Sequence, residues 1–217
     1  MLRIQLYSEL LNRYSIDWDV WEREVKEYTG LINKWNSIAG LVSPGDVERG
    51  CIEHIEDSLS LIDYLVPYLM DNPNLVWLDI GSGGGFPAIP ILLVFKNMRI
   101  ILIERKIRKS NFLQMVVKKF NIISAQVVCD GFPDCVPKYN IVPENVGIIT
   151  ARGVEQPGRL AKFLSNWLSP NTIFLCQSPK IFEFFPPNRF SSVKIEDNWS
   201  NLNPPLRKGA LVLIRKN

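Results

Sequence analysis

Four glycines lie within five positions, directly after a short apolar run that contains one acidic residue. The segment reads LDIGSGGGFPAIPI over residues 78–91, with Asp79 before the first glycine. Glycine adopts backbone conformations with positive φ and lets a ligand approach the chain closely. In α/β proteins, ligands bind outside the carboxyl ends of the strands. Gly81, Gly83 and Gly85 therefore predict a ligand-binding loop, with a tight turn that binds nothing as the plain alternative.

Three ligand chemistries compete for this loop. A P-loop needs Lys and Ser or Thr after its last glycine, but Phe86-Pro87-Ala88 follows here. A dinucleotide loop has Gly or Ala at its sixth position, where Phe86 would crowd a diphosphate. S-adenosyl-L-methionine carries no phosphate, so a G-x-G-x-G loop has only to surround an amino-acid tail and a ribose. We favour that cofactor, with Asp79 either holding its ammonium group or polarising the loop.

Further residues near the loop fit the same ligand. Glu104 closes the apolar run RIILIE, 21 residues after Gly83, and a carboxylate there can accept hydrogen bonds from both ribose hydroxyls. NAD proteins share this acid, so it indicates an adenosyl group rather than one ligand. Asp130 and Gly131 follow the third apolar run, where a contact to the adenine amine is expected, although Asp130 can also cap the next segment. Phe86 is expected against the apolar part of the ligand or packed under the loop.

These residues need an α/β scaffold, which the rest of the chain predicts. Near-continuous apolar runs separated by amphipathic stretches are typical of a mostly parallel sheet with helices on both faces. The predicted strands are 75–80, 99–104, 124–129, 146–151, 172–177, 190–195 and 210–216. The amphipathic stretches between the first three strands are 88–97 and 106–121.

The first 70 residues predict helices instead. Apolar residues recur every three or four positions over 18–38, which indicates an amphipathic helix. Ser43 and Pro44 fit the N-cap and first position of a second helical stretch over 44–68, with a break near His54. We predict an N-terminal helical extension at 1–68 and a cofactor-binding domain at 70–217.

Composition and charge limit the function. The 217 residues are 47% hydrophobic and 22% charged, which suits a globular chain with a full core. The N-terminus lacks the apolar region of a signal peptide, and no apolar run is long enough to span a membrane. Four cysteines without paired spacing and a single histidine favour a reducing cytoplasm and no metal.

Charge is distributed unevenly along the chain. Residues 1–98 hold 7 Lys/Arg against 14 Asp/Glu, whereas residues 99–217 hold 18 Lys/Arg against 8 Asp/Glu. The basic half suits a polyanion partner or a solvated surface.

Five segments together resemble one family. They are LINKWN (31–36), HIEDSL (54–59), DIGSGGGFPAIPI (79–91), RKSNFL (108–113) and ITARGV (149–154). The glycine loop alone is general to class I methyltransferases, but HIEDSL together with GFPAIP is much more specific. On these segments, the chain resembles the bacterial 16S rRNA guanine-N7 methyltransferase G family, also called the glucose-inhibited division protein B family.

The chain departs from the family pattern at several positions. Ala88 replaces a glycine, Gly153 an alanine, Gln177-Ser178 a Lys-Gly pair, GLVS (40–43) an Asn-Leu-Thr segment, and CDGFPD (129–134) an acidic pair. These departures bear on the methyl acceptor more than on the cofactor. Two alternatives therefore stay open: a diverged methyltransferase for another RNA or a small molecule, and a non-catalytic module that binds cofactor and RNA. An NAD-linked oxidoreductase is disfavoured by Phe86.

The resemblance implies a Rossmann-like class I methyltransferase that uses S-adenosyl-L-methionine to methylate N7 of a guanine in 16S rRNA. Guanine N7 is a lone pair without a proton, so the reaction needs no general base, and proximity, alignment and a dry site supply the catalysis. The implied partner is 16S rRNA or the small ribosomal subunit rather than a membrane. The chain is expected to be a cytoplasmic monomer.

The resemblance also places residues at the rim of the site. Arg152 follows the fourth strand and would touch the cofactor or the incoming base, which makes it the candidate catalytic residue; a guanidinium can bind guanine O6 or a phosphate in a fixed geometry. Its alternative is an ion pair with Glu155. His54 is expected to make a structural hydrogen bond to Asp57 or to a backbone carbonyl, and Asp57 and Ser58 are expected to hold the extension on the sheet.

Basic residues on the helices after the second and fourth strands are candidates for contacts to RNA phosphates. Each of them can equally be a solvated surface charge. They are Lys106, Arg108, Lys109, Arg159 and Lys162.

Overall fold

The N-terminal part of the chain is helical, as predicted. A computed structural model describes residues 9–10, 12–153, 155–177, 179–195 and 211–217. Its first helices are α1 (Trp18–Ala39), α2 (Pro44–Glu48), α3 (Ile52–Leu59) and α4 (Ile62–Asp71). Ser43 caps α2 by accepting a hydrogen bond from the backbone N–H of Asp46, with Pro44 at the start of the helix, which confirms the predicted cap.

The predicted break near His54 is confirmed a few residues earlier in the chain, and His54 itself lies inside α3. The chain leaves the helical conformation just before it, where Gly50 and Cys51 have φ of 64° and 57°. It turns again at Ser60 and Leu61, so the predicted stretch 44–68 consists of three short helices. The turns allow the chain to fold back over the sheet, which one long helix would not do.

Within the described residues, seven strands form one mixed sheet, close to the predicted spans. They are β1 (Val76–Ile80), β2 (Ile100–Ile103), β3 (Ala125–Val128), β4 (Val146–Ala151), β5 (Ile173–Cys176), β6 (Phe190–Ile195) and β7 (Leu211–Lys216). The order across the sheet is β3-β2-β1-β4-β5-β7-β6. The first five strands pair in parallel, whereas β7 pairs antiparallel with both β5 and β6. The predicted α/β class with a mostly parallel sheet is confirmed.

The described connections between the strands carry four further helices: α5 (Ala88–Leu92), α6 (Ile107–Lys119), α7 (Cys135–Lys138) and α8 (Pro157–Trp167). Two 3₁₀ turns cover Pro143–Asn145 and Pro179–Phe184. None of the helices in the described ranges is both long and apolar enough to cross a membrane.

Successive strand residues bury their side chains on opposite faces of the sheet. Trp77 packs with the extension and α6, whereas Leu78 packs with α8. Tyr28 of α1 and Ile55 of α3 belong to the same buried cluster as Trp77. The extension therefore shares the core of the sheet, and a domain boundary between residues 68 and 70 stays a prediction.

The register brings the loops after three strands together. Asp79 of β1 lies beside Leu102 of β2, and Ile80 of β1 lies beside Ala151 of β4. Because these strands are parallel, their carboxyl ends share one edge of the sheet. The glycine loop after β1 is thus flanked by the segment that begins at Glu104 and by the segment that begins at Arg152.

Candidate cofactor and acceptor site

A cavity of about 710 Å³ lies at this edge of the sheet. The loops after β1, β2, β3 and β4 form most of its wall. The remaining side belongs to the extension, which contributes the segment Leu41–Ser43 together with Asp46 and His54. The site is therefore built jointly by the sheet and by the extension.

The glycine loop presents bare backbone to this cavity. Gly81 and Gly83 line it with φ of 75° and 57°. A Cβ at Gly81 would meet no atom within 4 Å, and one at Gly83 would meet only the Gly81 carbonyl oxygen at 3.7 Å. The open space beside both residues leaves room for a ligand against the backbone, as the sequence predicts.

Gly85 has a different role from the predicted ligand contact, because it does not line the cavity. A Cβ at this position would lie 2.5 Å from Cγ1 of Ile89 and 2.9 Å from the Tyr28 hydroxyl oxygen. That hydroxyl donates a 2.6 Å hydrogen bond to the Gly84 carbonyl. The absence of a side chain at Gly85 allows α1 and α5 to close onto the loop.

Glu104 fixes the loop from the next strand. Its carboxylate is 6% exposed, and Oε2 accepts a 3.0 Å hydrogen bond from the Gly83 N–H while Oε1 accepts a 2.8 Å bond from the Lys106 N–H. Each carboxylate oxygen has a second lone pair, and the residue lines the cavity. The carboxylate can therefore hold the loop and receive ribose hydroxyls at the same time.

Asp130 and Gly131 also line the cavity, beyond Glu104. Oδ1 of Asp130 accepts a 2.7 Å bond from the Gly131 N–H, and Oδ2 pairs with Lys138 Nζ at 2.7 Å. The hydrogen bond from Lys138, followed by that from the Gly131 N–H, lowers the pKa of Asp130. The carboxylate thus orders its own loop while it stays in the cavity wall, but the alternative role as a helix cap was wrong, because Asp134 occupies the N-cap position of α7.

Asp79 lies behind the cavity wall rather than in it. The residue is 1% exposed, and Oδ1 accepts a 2.6 Å bond from the Thr150 hydroxyl, whose oxygen also accepts a 2.8 Å bond from Trp77 Nε1. Burial raises the pKa of Asp79 to about 6, against the opposing effect of hydrogen bonds from Thr150 and Ser82. Asp79 does not line the cavity, and its position fits the other predicted role, support of the loop from below.

Arg152 lies in the cavity wall with its side chain 27% exposed, and residues of α3 hold it. Nη2 is 2.8 Å from Nδ1 of His54, and Nη1 is 3.3 Å from Oδ2 of Asp57. The alternative ion pair with Glu155 is wrong, because Glu155 pairs with Arg105 at 2.8 Å. The contact from Asp57 does join the extension to the sheet, as expected of that residue.

His54 is structural in part, but its predicted partners were wrong. Its ring contacts Arg152 and, through Nε2, Asp46 Oδ2 at 3.2 Å. The ring centroid also lies 4.9 Å from that of Phe86. Phe86 is 8% exposed and packs on Tyr28, which confirms its predicted place under the loop; it also lines the cavity, where its contact to the ligand stays a prediction.

The five candidate RNA-binding residues separate into two groups. Lys106, Lys109 and Arg159 line the cavity. Arg108 instead donates a 3.2 Å hydrogen bond to the Ile38 carbonyl of α1, and Lys162 is exposed on α8 outside the wall.

Sequence reasoning missed part of the wall. Arg105 and Glu155 line the cavity as an ion pair whose side chains are 61% and 69% exposed. Arg105 could have been predicted as a lining residue, because it follows Glu104 directly in the sequence. No comparable signal marked Asp46, because only the fold brings α2 to the cavity. Within the described residues, no cluster of His, Cys, Asp or Glu could hold a metal ion.

The described residues fit S-adenosyl-L-methionine. Glu104 and Asp130 line the cavity with carboxylates that can accept hydrogen bonds, and Gly81 and Gly83 leave open space beside the loop. Arg152 lies across the loop, on the β4 side. Such an arrangement can hold an adenosyl cofactor next to a polar, cationic acceptor pocket.

Comparison with known proteins agrees with this arrangement. Residues 22–179 match the model of a family described as rRNA small subunit methyltransferase G. The ribosomal RNA small subunit methyltransferase G of Bartonella bacilliformis is 33% identical over 192 residues, covering 87% of this chain and 84% of the relative. The protein of that name from Pseudomonas aeruginosa is 34% identical over 107 residues, covering 49% of this chain and 47% of the relative.

A solved structure shares the fold at low sequence identity. The O-methyltransferase from Bacillus cereus, determined in complex with SAH, superposes with a TM-score of 0.56 and 12% identity. The superposition covers 89% of this chain and 90% of that one. The likeness confirms the methyltransferase fold.

Proposed function

The chain belongs to the rRNA small subunit methyltransferase G family, and from that premise we propose that it transfers the methyl group of S-adenosyl-L-methionine to N7 of a guanine in 16S rRNA. The observation that carries this proposal is the Glu104 carboxylate, fixed by two backbone N–H groups beside an open glycine backbone. The departures at Ala88, Gly153 and Gln177 leave that arrangement intact.

The cofactor supplies an electrophilic methyl group on a sulfonium centre. Glu104 binds the ribose hydroxyls, Asp130 and Gly131 receive the adenine, and the backbone at Gly81 and Gly83 surrounds the tail. Asp79 keeps the loop in shape through Thr150. Because these groups are held by β1, β2 and β3, the β4 side of the cavity is left to the acceptor.

The acceptor nitrogen is already a lone pair, so alignment rather than proton removal is what the protein must provide. Arg152 is suited to guanine O6 or an adjacent phosphate, because the guanidinium keeps its charge and its donors lie in one plane. Lys106, Lys109 and Arg159 around the same cavity would meet RNA phosphates. We propose 16S rRNA, free or in the small subunit, as partner of a cytoplasmic monomer.

The test uses purified protein with small ribosomal subunits that lack the modification. We expect S-adenosylhomocysteine to bind by calorimetry, and N7-methylguanine to be revealed by reduction and strand cleavage of the treated RNA. Gly83→Val, which fills the space beside the loop, should abolish both. Cofactor binding without a methylated ribosomal product would favour the alternative of a diverged methyltransferase, and a methylated pyrimidine would contradict N7 chemistry.

A further inference from the structure

A chain of polar contacts runs from the extension to Arg152. A guanidinium has only donors, so the 2.8 Å contact from Arg152 Nη2 requires Nδ1 of His54 to be the acceptor. The neutral ring then carries its proton on Nε2, which lies 3.2 Å from Asp46 Oδ2. The Arg152 contact therefore selects the tautomer, and the Asp46 carboxylate favours it as a close charged neighbour of Nε2 rather than as a hydrogen-bond partner.

Asp46 is itself fixed at the start of α2. Its Oδ2 accepts a 2.6 Å hydrogen bond from the Ser43 hydroxyl, and its Oδ1 accepts a 2.7 Å bond from Arg49. The hydrogen bond from Ser43, opposed by partial burial and aided by His54 and Arg49, lowers the pKa of Asp46 to about 2. The group that faces His54 Nε2 is thus an ionised carboxylate at neutral pH.

The same helix holds Arg152 at a second point. His54 and Asp57 are three residues apart on α3 and therefore lie on one face. Asp57 is 1% exposed and contacts Arg152 Nη1 at 3.3 Å, while His54 contacts Nη2. Two contacts to two different nitrogens fix the plane of the guanidinium as well as its position.

We propose that His54 is a positioning residue for methyl transfer, which orients the Arg152 guanidinium toward the acceptor base and is itself oriented by Asp46. The inference rests on the proposed function. It places the extension in the active site as the element that completes the acceptor side. The cofactor side, built by Glu104 and Asp130 on the far side of β1, does not depend on this contact.

The geometry makes the contact sensitive to pH. Protonation of His54 would add a proton to Nδ1, and that N–H would then point at the guanidinium of Arg152, which is always positively charged. The charged groups that face the ring are Arg152 at the end of β4, Asp46 on α2 and Glu53 on α3. Burial, followed by the Arg152 charge, lowers the pKa of His54, while Asp46 and Glu53 oppose the shift. The lowered pKa favours the neutral, contact-making form at neutral pH and moves its loss to lower pH than for an unperturbed histidine.

The experiment compares variants that differ in the acceptor they present to Arg152. Single-turnover methyl transfer to unmodified small subunits is measured at saturating cofactor and subunits, from pH 5 to 8, beside calorimetry with S-adenosylhomocysteine. His54→Ala removes the acceptor, His54→Asn retains an oxygen near Nδ1, and His54→Gln moves its oxygen toward Nε2. Asp46→Asn tests the orienting contact, with Glu48→Gln, an exposed position on the same helix, as the matched charge control.

We expect His54→Ala to slow the single-turnover step roughly 10- to 100-fold, the usual effect of a misplaced group, with S-adenosylhomocysteine affinity unchanged within about twofold. We expect the rate of the native chain to decline at acid pH, and His54→Asn should recover most of the rate at pH 7.5 and lose that decline. His54→Gln should stay slow, and Asp46→Asn should be slower than Glu48→Gln.

Three results would overturn the inference: a normal rate in His54→Ala, an unchanged acid decline in His54→Asn, or equal rates in His54→Asn and His54→Gln. If His54→Ala does not fold, the Asn and Gln variants still decide the question. A native chain that methylates no ribosomal guanine would instead refute the proposed function, which keeps the two failures distinct.

Discussion

Replacing Glu104 by alanine should produce two separate losses, because the carboxylate serves the ligand-free loop as well as the cofactor. In the ligand-free chain, the substitution leaves the N–H groups of Gly83 and Lys106 without their acceptor. With cofactor bound, it also removes the acceptors proposed for the ribose. Glu104→Gln keeps one acceptor oxygen and sets an amide N–H against the other backbone donor.

The magnitudes follow from the burial of the site and the charge on the acceptor. A hydrogen bond to a charged group contributes about 1.5–3 kcal/mol, although the adjoining cavity lets water replace part of it. We therefore expect the alanine variant to lower the free energy of unfolding without ligand by ~2–4 kcal/mol, and the glutamine variant by about half as much. S-adenosylhomocysteine affinity should fall by a further ~1.5–3 kcal/mol in the alanine variant, or roughly 10- to 100-fold.

Denaturant unfolding without ligand measures the first loss, and calorimetry measures the second. Glu155→Ala is the matched control, since it removes the same charge from the same cavity wall at a side chain that is 69% exposed. Exposed ion pairs contribute little, so both quantities should stay close to native values. A Glu104→Ala chain with reduced stability but native affinity would refute a ribose contact and leave Glu104 as a loop anchor only.

Three further predictions test other parts of the site. Gly83→Ala should weaken S-adenosylhomocysteine binding, as measured by calorimetry. Gly40→Ala is the control and should not weaken it, because Gly40 has a similar φ of 59° and no atom near the position of a Cβ. Equal losses of affinity in the two variants would attribute the effect to backbone strain. Lys109→Ala should reduce the slope of log K against log salt for RNA binding by about one unit. Lys118→Ala, at the opposite end of α6, should leave the slope unchanged. Equal slopes for the two variants in a salt titration would remove Lys109 from the RNA interface. Because the folded pKa of Asp79 is raised to about 6, its ionisation should lower stability as pH rises from about 4 to 6. Asp79→Asn should therefore flatten that decline and raise the free energy of unfolding at pH 7 by up to ~3 kcal/mol, and an unchanged pH profile in denaturant unfolding would contradict the buried charge.

Local pattern was sufficient for the scaffold and for several residues that line the cavity after β1 and β2. Each predicted strand was a short apolar run, and each was found within a few residues of its predicted bounds, because continuous burial on both faces of a parallel sheet dictates such runs. Gly81, Gly83 and Glu104 were identified from the sequence since a ligand loop needs bare backbone next to a strand end. The strand order then brings Glu104 to Gly83 over 21 residues.

Tertiary structure alone decided the roles of other residues in and behind the loop. Gly85 looked like a ligand contact, but the packing of Tyr28 and Ile89 is what excludes a side chain there. Asp79 looked like a partner for an ammonium group, but strand pairing places it under Thr150 and out of the cavity. Neither distinction has a sequence signature, because both depend on which neighbour fills the space beside the residue.

The acceptor side depended most on the fold. HIEDSL was recognisable as a motif, but its partners Asp46 and Arg152 lie 8 and 98 positions from His54 in the chain. The helix breaks at Gly50 and Ser60 turn α3 across the end of β4, and only that crossing creates the contacts. Sequence determined which residues were available for chemistry, whereas long-range packing determined which of them meet, since hydrogen bonds and ion pairs act over a few ångströms in space regardless of separation along the chain.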